Sequence, residues 1–249
     1  MIQVDDFHKA YGRFIAVQGL SFAVAPGQVM GLVGPNGAGK TTTLRAVAGL
    51  CAPSQGRLTV AGFDTVRQPV EVKKRLAYVA DDPQLFADLT VLEHLRFYAA
   101  AYHVANAPLL IERLLIDFEL EAKQFELARN LSRGMRQKLA ICCAYLYDPQ
   151  VLLFDEPMTG LDPLGIRQFK ESIRERAAAG ATIVVSSHLL AIVEDICSHV
   201  LILKSGRMQY HGSIDEVCRA QGSSGPVRSL EEMFFLATGS NEPLSAVTV

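Results

Sequence analysis

The chain has 249 residues, of which 49% are hydrophobic and 20% are charged, and its formal net charge is -2. This composition excludes an intrinsically disordered chain and leaves room for one large domain, or for one domain with a sizeable insertion. The small net charge argues against a protein that binds nucleic acid through a broad basic surface, so we expect no nucleic-acid partner.

The sequence shows neither a targeting segment nor a membrane-spanning segment. The N-terminus carries charges from Asp5 onward and has no apolar core, unlike a secretory signal peptide. Its apolar stretches fall well short of the roughly 18 residues that a transmembrane helix needs. Five cysteines leave one unpaired and show no metal-ligand spacing, so we expect a protein of the reducing cytosol.

The first third of the chain is predicted to be rich in β-strands. Apolar runs bounded by turn residues predict strands over residues 3–7, 20–24 and 28–33. The third of these strands enters a glycine-rich loop, and a helix is predicted to follow over residues 41–49. Another short strand is predicted over residues 76–80.

The middle of the chain changes to helical spacing, and strands then return. Apolar residues recur at helical intervals from residue 90 to about 118, and a further helix is predicted over residues 133–147. Strands are predicted over residues 151–154 and 182–186, with a helix over 163–179 between them. This alternation favours parallel pairing in a covered sheet. A closing hairpin is predicted over residues 199–211, then a linker at 223–226 and a short helix over 230–236.

These patterns predict an α/β protein in which helices interrupt the core. Residues 1–84 and 149–222 are predicted to form the core, and residues 85–148 an inserted helical subdomain. Residues 223–249 are predicted to be a linker with a short C-terminal helix and tail.

A complete match to the phosphate-binding pattern G-x-x-x-x-G-K-[ST] follows the third predicted strand. Glycines allow backbone N–H groups to approach a phosphate closely, and the following helix adds the positive end of its dipole. Lys40 is predicted to neutralise the outer phosphates, and the Thr41 hydroxyl to hold Mg²⁺. The predicted ATP-binding residues of this loop are Gly34, Pro35, Asn36, Gly37, Ala38, Gly39, Lys40, Thr41 and Thr42.

Two carboxylates, Asp155 and Glu156, follow the buried strand predicted at 151–154. They lie at the carboxyl end of a strand, where α/β sheets bind ligands. Taken alone, the two carboxylates are equally compatible with a solvated strand end. Beside a phosphate-binding loop, we predict that Asp155 holds Mg²⁺ and that Glu156 is the general base for the attacking water.

With these two motifs the sequence resembles the nucleotide-binding subunits of ABC transporters, and the resemblance covers nearly the whole chain. It implies a P-loop NTPase core with a mostly parallel sheet, an N-terminal antiparallel β subdomain and an inserted α-helical subdomain. It implies ATP and Mg²⁺ as cofactors. It also implies catalysis by Lys40, Glu156 and His188, the last matching the family's switch histidine, whereas a lone histidine there is otherwise a simple helix-start residue.

Two further residues take their roles from the same resemblance. Asp162 follows the carboxylates as the family's D-loop does, which implies a position at the seam of a dimer. Tyr11 matches the aromatic residue that stacks on adenine, although an ordinary strand-end tyrosine is the alternative.

The signature motif departs from the family's usual L-S-G-G-Q and reads Leu-Ser-Arg-Gly-Met over residues 131–135. Ser132 and Gly134 retain the chemistry, a hydroxyl and backbone N–H groups at a helix N-terminus aimed at the γ-phosphate of ATP on the partner subunit. Arg133 replaces a glycine, so its φ must be negative.

A second departure is Asp81, which stands where the family usually has a glutamine. A carboxylate can hold a hard cation, so Asp81 is a candidate Mg²⁺ ligand. A solvated loop aspartate is the alternative. Leu85 and Phe86 just beyond it face either a partner's helix or the core.

The resemblance predicts an ATP-hydrolysing subunit of an ABC transporter, of export type, that couples dimerisation to substrate movement. The implied partners are a transmembrane permease and a second ATPase subunit, in a homodimer or a heterodimer. The implied location is peripheral, on the cytoplasmic face of the membrane. The alternative is a soluble ABC-type ATPase that acts on a protein or nucleic-acid scaffold.

Overall fold

The computed structural model describes residues 1–219 and 229–239, which form two β-sheets and surrounding helices. The smaller sheet is antiparallel, has four strands in the order β2-β1-β4-β5, and is built from the N-terminal part of the chain. Its strands are β1 (Ile2–Tyr11), β2 (Phe14–Val24), β4 (Gln55–Val60) and β5 (Phe63–Asp64).

The larger sheet has six strands in the order β10-β9-β3-β8-β7-β6. Its strands are β3 (Val29–Val33), β6 (Leu76–Val79), β7 (Val151–Asp155), β8 (Thr182–Ser186), β9 (His199–Lys204) and β10 (Arg207–Ser213). All neighbours pair in parallel except β9 and β10, which form an antiparallel hairpin. The carboxyl ends of β3, β6, β7 and β8 therefore meet at one edge of this sheet.

Nine α-helices are described within these ranges. They are α1 (Lys40–Val47), α2 (Pro69–Lys73), α3 (Val91–Ala101), α4 (Ala107–Asp117), α5 (Arg133–Tyr145), α6 (Pro163–Ala178), α7 (Leu190–Ile196), α8 (Ile214–Arg219) and α9 (Leu230–Thr238). Short 3₁₀ turns occur at Glu121–Lys123 and Ala128–Asn130. Side-chain caps fix where three long helices begin: Thr90 caps α3 in a capping box with Glu93, Ser132 caps α5 and Asp162 caps α6.

The larger sheet lies between two apolar layers. Because side chains alternate along a strand, Leu152 and Phe154 of β7 enter the core formed with the helices α3–α7. Val151 and Leu153 of the same strand enter the other core, which the smaller sheet and α1 complete. Burial on both faces explains why β7 reads as an unbroken apolar run.

The predicted fold class is confirmed, with differences in detail. The first two strands are longer than predicted, and the helical stretch after residue 90 is two helices, α3 and α4. Sequence reasoning missed β4, β5, α2, α7 and α8. The α3–α5 helices do lie between β6 and β7, but the predicted domain boundaries remain predictions. The predicted linker at 223–226 and the tail after residue 239 lie outside the described residues.

None of the described helices combines the length and apolar character needed to cross a bilayer.

Candidate functional site

The phosphate-binding loop connects β3 to α1 at the shared edge of the larger sheet. Lys40, the first residue of α1, is buried, and its Nζ donates a hydrogen bond to the Gly34 carbonyl oxygen at 2.7 Å. Within the loop, the Ala38 amide donates to the Pro35 carbonyl at 3.1 Å. The loop is thus curled around the amino group that is predicted to meet the outer phosphates.

Gly39 is required at the entry to α1. Its φ is +103°, in the region that favours glycine, and an added Cβ would lie 2.8 Å from the Ala16 carbonyl oxygen of β2. A side chain at this position would therefore displace either the loop or the smaller sheet. The second glycine of the motif is explained by both its backbone conformation and its close approach to β2.

The Lys40 amino group faces the two carboxylates at the end of β7. Its Nζ lies 3.8 Å from Glu156 Oε1. Burial lowers the pKa of Lys40, while the negative charges of Glu156 and Asp155 oppose that shift. The cation is thus held in a partly dry site, where its attraction for a phosphate is stronger than it would be in water.

Asp155 is buried and fixed by two hydroxyl groups that sequence reasoning missed. Ser186 Oγ donates to Asp155 Oδ1 at 2.6 Å, and the Tyr78 hydroxyl donates to Asp155 Oδ2 at 3.2 Å. Burial, together with the Asp155 charge, raises the pKa of Tyr78 to about 12, so this hydroxyl stays a donor at neutral pH. Ser186 and Tyr78 lie on β8 and β6, the strands on either side of β7, so parallel pairing brings all three together.

Glu156 has a strained backbone that a neighbouring strand holds in place. Its φ is +48°, which is uncommon for a residue other than glycine. Its amide donates to both the Ser186 carbonyl oxygen, at 3.2 Å, and Ser186 Oγ, at 3.0 Å. Its carboxylate Oε2 lies 2.8 Å from His188 Nδ1. The structure therefore brings Lys40, Glu156 and His188 together, and their catalytic roles remain predictions.

The residues present fit a bound Mg²⁺ in their chemistry. Thr41 and Asp155 line one cleft of about 930 Å³ that runs along the edge strand β6, and they offer the hard oxygen ligands that this ion prefers. The described residues contain no group of three or more His, Cys, Asp or Glu side chains that could form a metal site. Mg²⁺ in nucleotide sites usually keeps several waters and takes its other ligands from one or two protein oxygens and from phosphates.

Asp81 lines the same cleft but has another partner in this structure. Its Oδ1 accepts a hydrogen bond from Arg133 Nη2 at 2.8 Å. Sequence reasoning did not connect these two residues, and a role for Asp81 as a metal ligand remains a prediction.

Tyr11 is the last residue of β1, in the smaller sheet. Its ring is about half exposed, and Lys9 Nζ lies 4.9 Å from the ring centre. The pKa of Arg45 on α1 is raised mainly by its hydrogen bond with Tyr78, and Tyr11 contributes a smaller electrostatic part. The exposed face of the Tyr11 ring can stack on a flat base.

Replacing Tyr11 with Ala should therefore weaken ATP binding. Base–aromatic stacking contributes about 1–3 kcal/mol, which corresponds to a loss of roughly 5- to 150-fold in affinity. Tyr11→Phe is the matched control and should bind ATP nearly as well as the parent. Nucleotide titration by fluorescence measures both variants, and equal affinity in Tyr11→Ala and parent would assign Tyr11 a structural role only.

The signature residues Ser132 and Gly134 lie at the start of α5. Ser132 Oγ accepts a hydrogen bond from the Met135 amide at 3.2 Å, so the hydroxyl caps its own helix. Asp162 similarly caps α6 by accepting from the Gly165 amide at 3.1 Å. The Asp162 carboxylate also lies 3.3 Å from Lys138 Nζ on α5, which ties the predicted dimer-seam loop to the signature helix.

Comparison with known proteins agrees with this geometry. The ABC transporter family matches residues 17–159. The chain is 34% identical over 219 residues to the ABC-type transporter ATP-binding protein EcsA of Bacillus subtilis, covering 87% of this chain and 89% of that protein. It is 34% identical over 219 residues to the Nod factor export ATP-binding protein I of Cupriavidus metallidurans, covering 87% and 72%.

Solved structures give the same result. An ATP-binding subunit of an ABC transporter superposes with a TM-score of 0.89 at 35% identity, covering 95% of this chain and 99% of that one. A dimeric ATP-binding cassette bound to ADP and Pi shares the fold, with a TM-score of 0.77 at 22% identity over 86% of this chain and 98% of that one. The glycine loop, the paired carboxylates and these matches together establish that the chain belongs to the ABC transporter family, as an ATP-binding and ATP-hydrolysing subunit.

Proposed function

We propose that two such subunits close around ATP at the cytoplasmic face of a membrane and drive export through a separate permease. The observation that carries this proposal concerns the bonding of the signature residues within one chain. Among the described residues, no hydrogen bond or ion pair joins Ser132 or Gly134 to the phosphate-binding loop. A γ-phosphate held by Lys40 would then receive the signature N–H groups from a second subunit, either another copy of this chain or a related one.

In this proposal each residue of the site has a defined task. The loop amides and Lys40 bind the phosphates, and Glu156 accepts the proton of the attacking water. His188, hydrogen-bonded to Glu156, orients that carboxylate. Thr41 and Asp155 would hold Mg²⁺, which would supply positive charge beside the phosphates, and Ser186 and Tyr78 keep the Asp155 carboxylate oriented.

The proposed docking surface for the permease is an exposed aromatic pair beside the cleft. Phe86 and Phe97 are 54% and 49% exposed, and their rings meet edge to face at 5.3 Å between centroids. Leu85 next to them is partly buried against the helical core. Exposed aromatic side chains at the rim of a cleft are typical anchors for a partner helix.

Affinity purification of the full chain from solubilised membranes tests this function. We expect a multi-span membrane protein to co-purify, and its recovery to fall roughly tenfold or more in Phe86→Glu. Phe125→Glu is the matched control, because Phe125 is 75% exposed in the same helical region and does not belong to the Phe86–Phe97 ring pair. ATP binding should be unchanged in both variants. Recovery of soluble partners alone would favour the scaffold-bound ATPase instead.

A further inference from the structure

Two departures from the family's usual sequence meet as an ion pair in this structure. Arg133 is the first residue of α5, and Asp81 lies just beyond the end of β6. Arg133 Nη2 donates to Asp81 Oδ1 at 2.8 Å, and the two side chains are 47% and 48% exposed. The pair therefore joins the signature helix to the loop that leaves the sheet beside Asp155.

Arg133 also packs against the loop that follows Glu156. Its Cδ lies 3.2 Å from the point that a Cβ on Gly160 would occupy, and Gly160 has a φ of +85°. A Cβ on Gly134 would overlap the Gly160 carbonyl oxygen. The first turn of α5 thus rests on Gly160, while its arginine reaches across to Asp81.

We propose that Arg133 is a positioning residue that, through Asp81, sets the orientation of the α5 N-terminus carrying Ser132 and Gly134. This inference rests on the proposed function, because it concerns the signature's approach to the partner's ATP. An exposed ion pair contributes little to folding stability, so we expect the Arg133–Asp81 pair to act on the orientation of the α5 N-terminus. A displacement of about 1 Å of a group that contacts a reacting phosphate can change the rate by 10²-fold.

The pair also explains how a carboxylate is tolerated at position 81. Unpaired, Asp81 would place a negative charge in the cleft that contains Thr41 and Asp155. The Arg133 guanidinium neutralises that charge and matches a carboxylate in shape. Arg133 in the signature and Asp81 after β6 then function as one unit, and removing either residue leaves its partner as an unpaired charge.

A charge swap tests this proposal in the full chain, with Glu156→Gln added throughout to prevent hydrolysis. The variants are Asp81→Arg, Arg133→Asp and the two combined. We expect each single variant to speed amide hydrogen exchange over residues 81–89 and 131–136 in nucleotide-free protein. We also expect each to raise the ATP concentration for half-maximal dimerisation about 10-fold. The combined variant should return both readouts to within about threefold of the parent.

The matched control is a comparable exposed pair away from the site, Arg167 and Glu171 on α6, at 3.0 Å. Arg167→Asp and Glu171→Arg should change neither readout. The proposal is wrong if the single variants match the parent, or if the combined variant is no better than the worse single one. If the Glu156→Gln parent stays monomeric in ATP, that result would count against the proposed function instead. The hydrogen-exchange rates alone would then test the role of the Arg133–Asp81 pair.

Discussion

Glu156→Gln should reduce ATP hydrolysis by about 10²- to 10⁴-fold while leaving ATP binding intact. The amide retains the shape of the carboxylate but cannot accept the proton of the attacking water. The backbone at this position is held by Ser186 rather than by the Glu156 side chain, so the strained turn should survive the substitution. The loss should therefore appear in kcat, with little change in the affinity for ATP.

The same variant should reveal the closed dimer. Without hydrolysis, the complex formed in ATP should persist in light scattering and dissociate in ADP. Glu175→Gln, an exposed carboxylate on α6, is the control and should hydrolyse ATP like the parent. A Glu156→Gln protein that remained monomeric in saturating ATP would argue strongly against closure around nucleotide.

Much of the ATP site could be predicted because its parts are local in sequence or fixed by a general rule of topology. The loop from Gly34 to Thr41 contains the glycines that its tight turns need, and it follows a short apolar strand. Asp155 and Glu156 come at the end of another such strand. Since carboxyl ends of parallel strands share an edge, these two segments were expected to meet, and Lys40 does lie 3.8 Å from Glu156.

The contacts that orient the site could not be predicted, because they depend on which strands are neighbours. Ser186 and Tyr78 were within predicted strands, yet their bonds to Asp155 follow from the order β8-β7-β6, which no pattern in the chain specifies. The pair Arg133 and Asp81 spans 52 residues and likewise requires the folded arrangement of α5 against β6.

The missed elements also have a physical explanation. Strand β4 contains Gly56 and is exposed over its first half, and β5 has only two residues, so neither shows a clear alternating pattern. The helices α2 and α7 have only 5 and 7 residues, too few for a helical period to be recognised.

A second large loss of ATPase activity is expected when either Lys40 or Ser132 is replaced. Lys40→Ala should remove the buried cation at the phosphates, and Ser132→Arg should obstruct the γ-phosphate position. Each homodimer should lose activity by about 10²- to 10³-fold, the usual cost of removing one preorganised charge-stabilising group. Nucleotide binding by the loop itself should survive in Ser132→Arg, because the hydrogen bonds described for Ser132 go to its own helix and not to residues 34–42.

We propose that each ATP site is shared between two subunits, and mixing the two inactive variants tests this sharing. Mixed dimers of Lys40→Ala and Ser132→Arg chains are isolated with two different affinity tags. Both lesions then fall on one composite site, and the other site is intact. Activity should reappear, up to about half of the parent value if the sites act independently.

A chain carrying both substitutions, paired with the parent chain and isolated in the same way, is the control. A shared arrangement places one lesion in each of its two sites, so this dimer should be less active than the mixed single variants. We expect that ranking of steady-state ATPase rates. The opposite ranking, with no activity regained on mixing, would show that Ser132 and Gly134 act within their own chain and would contradict the shared site.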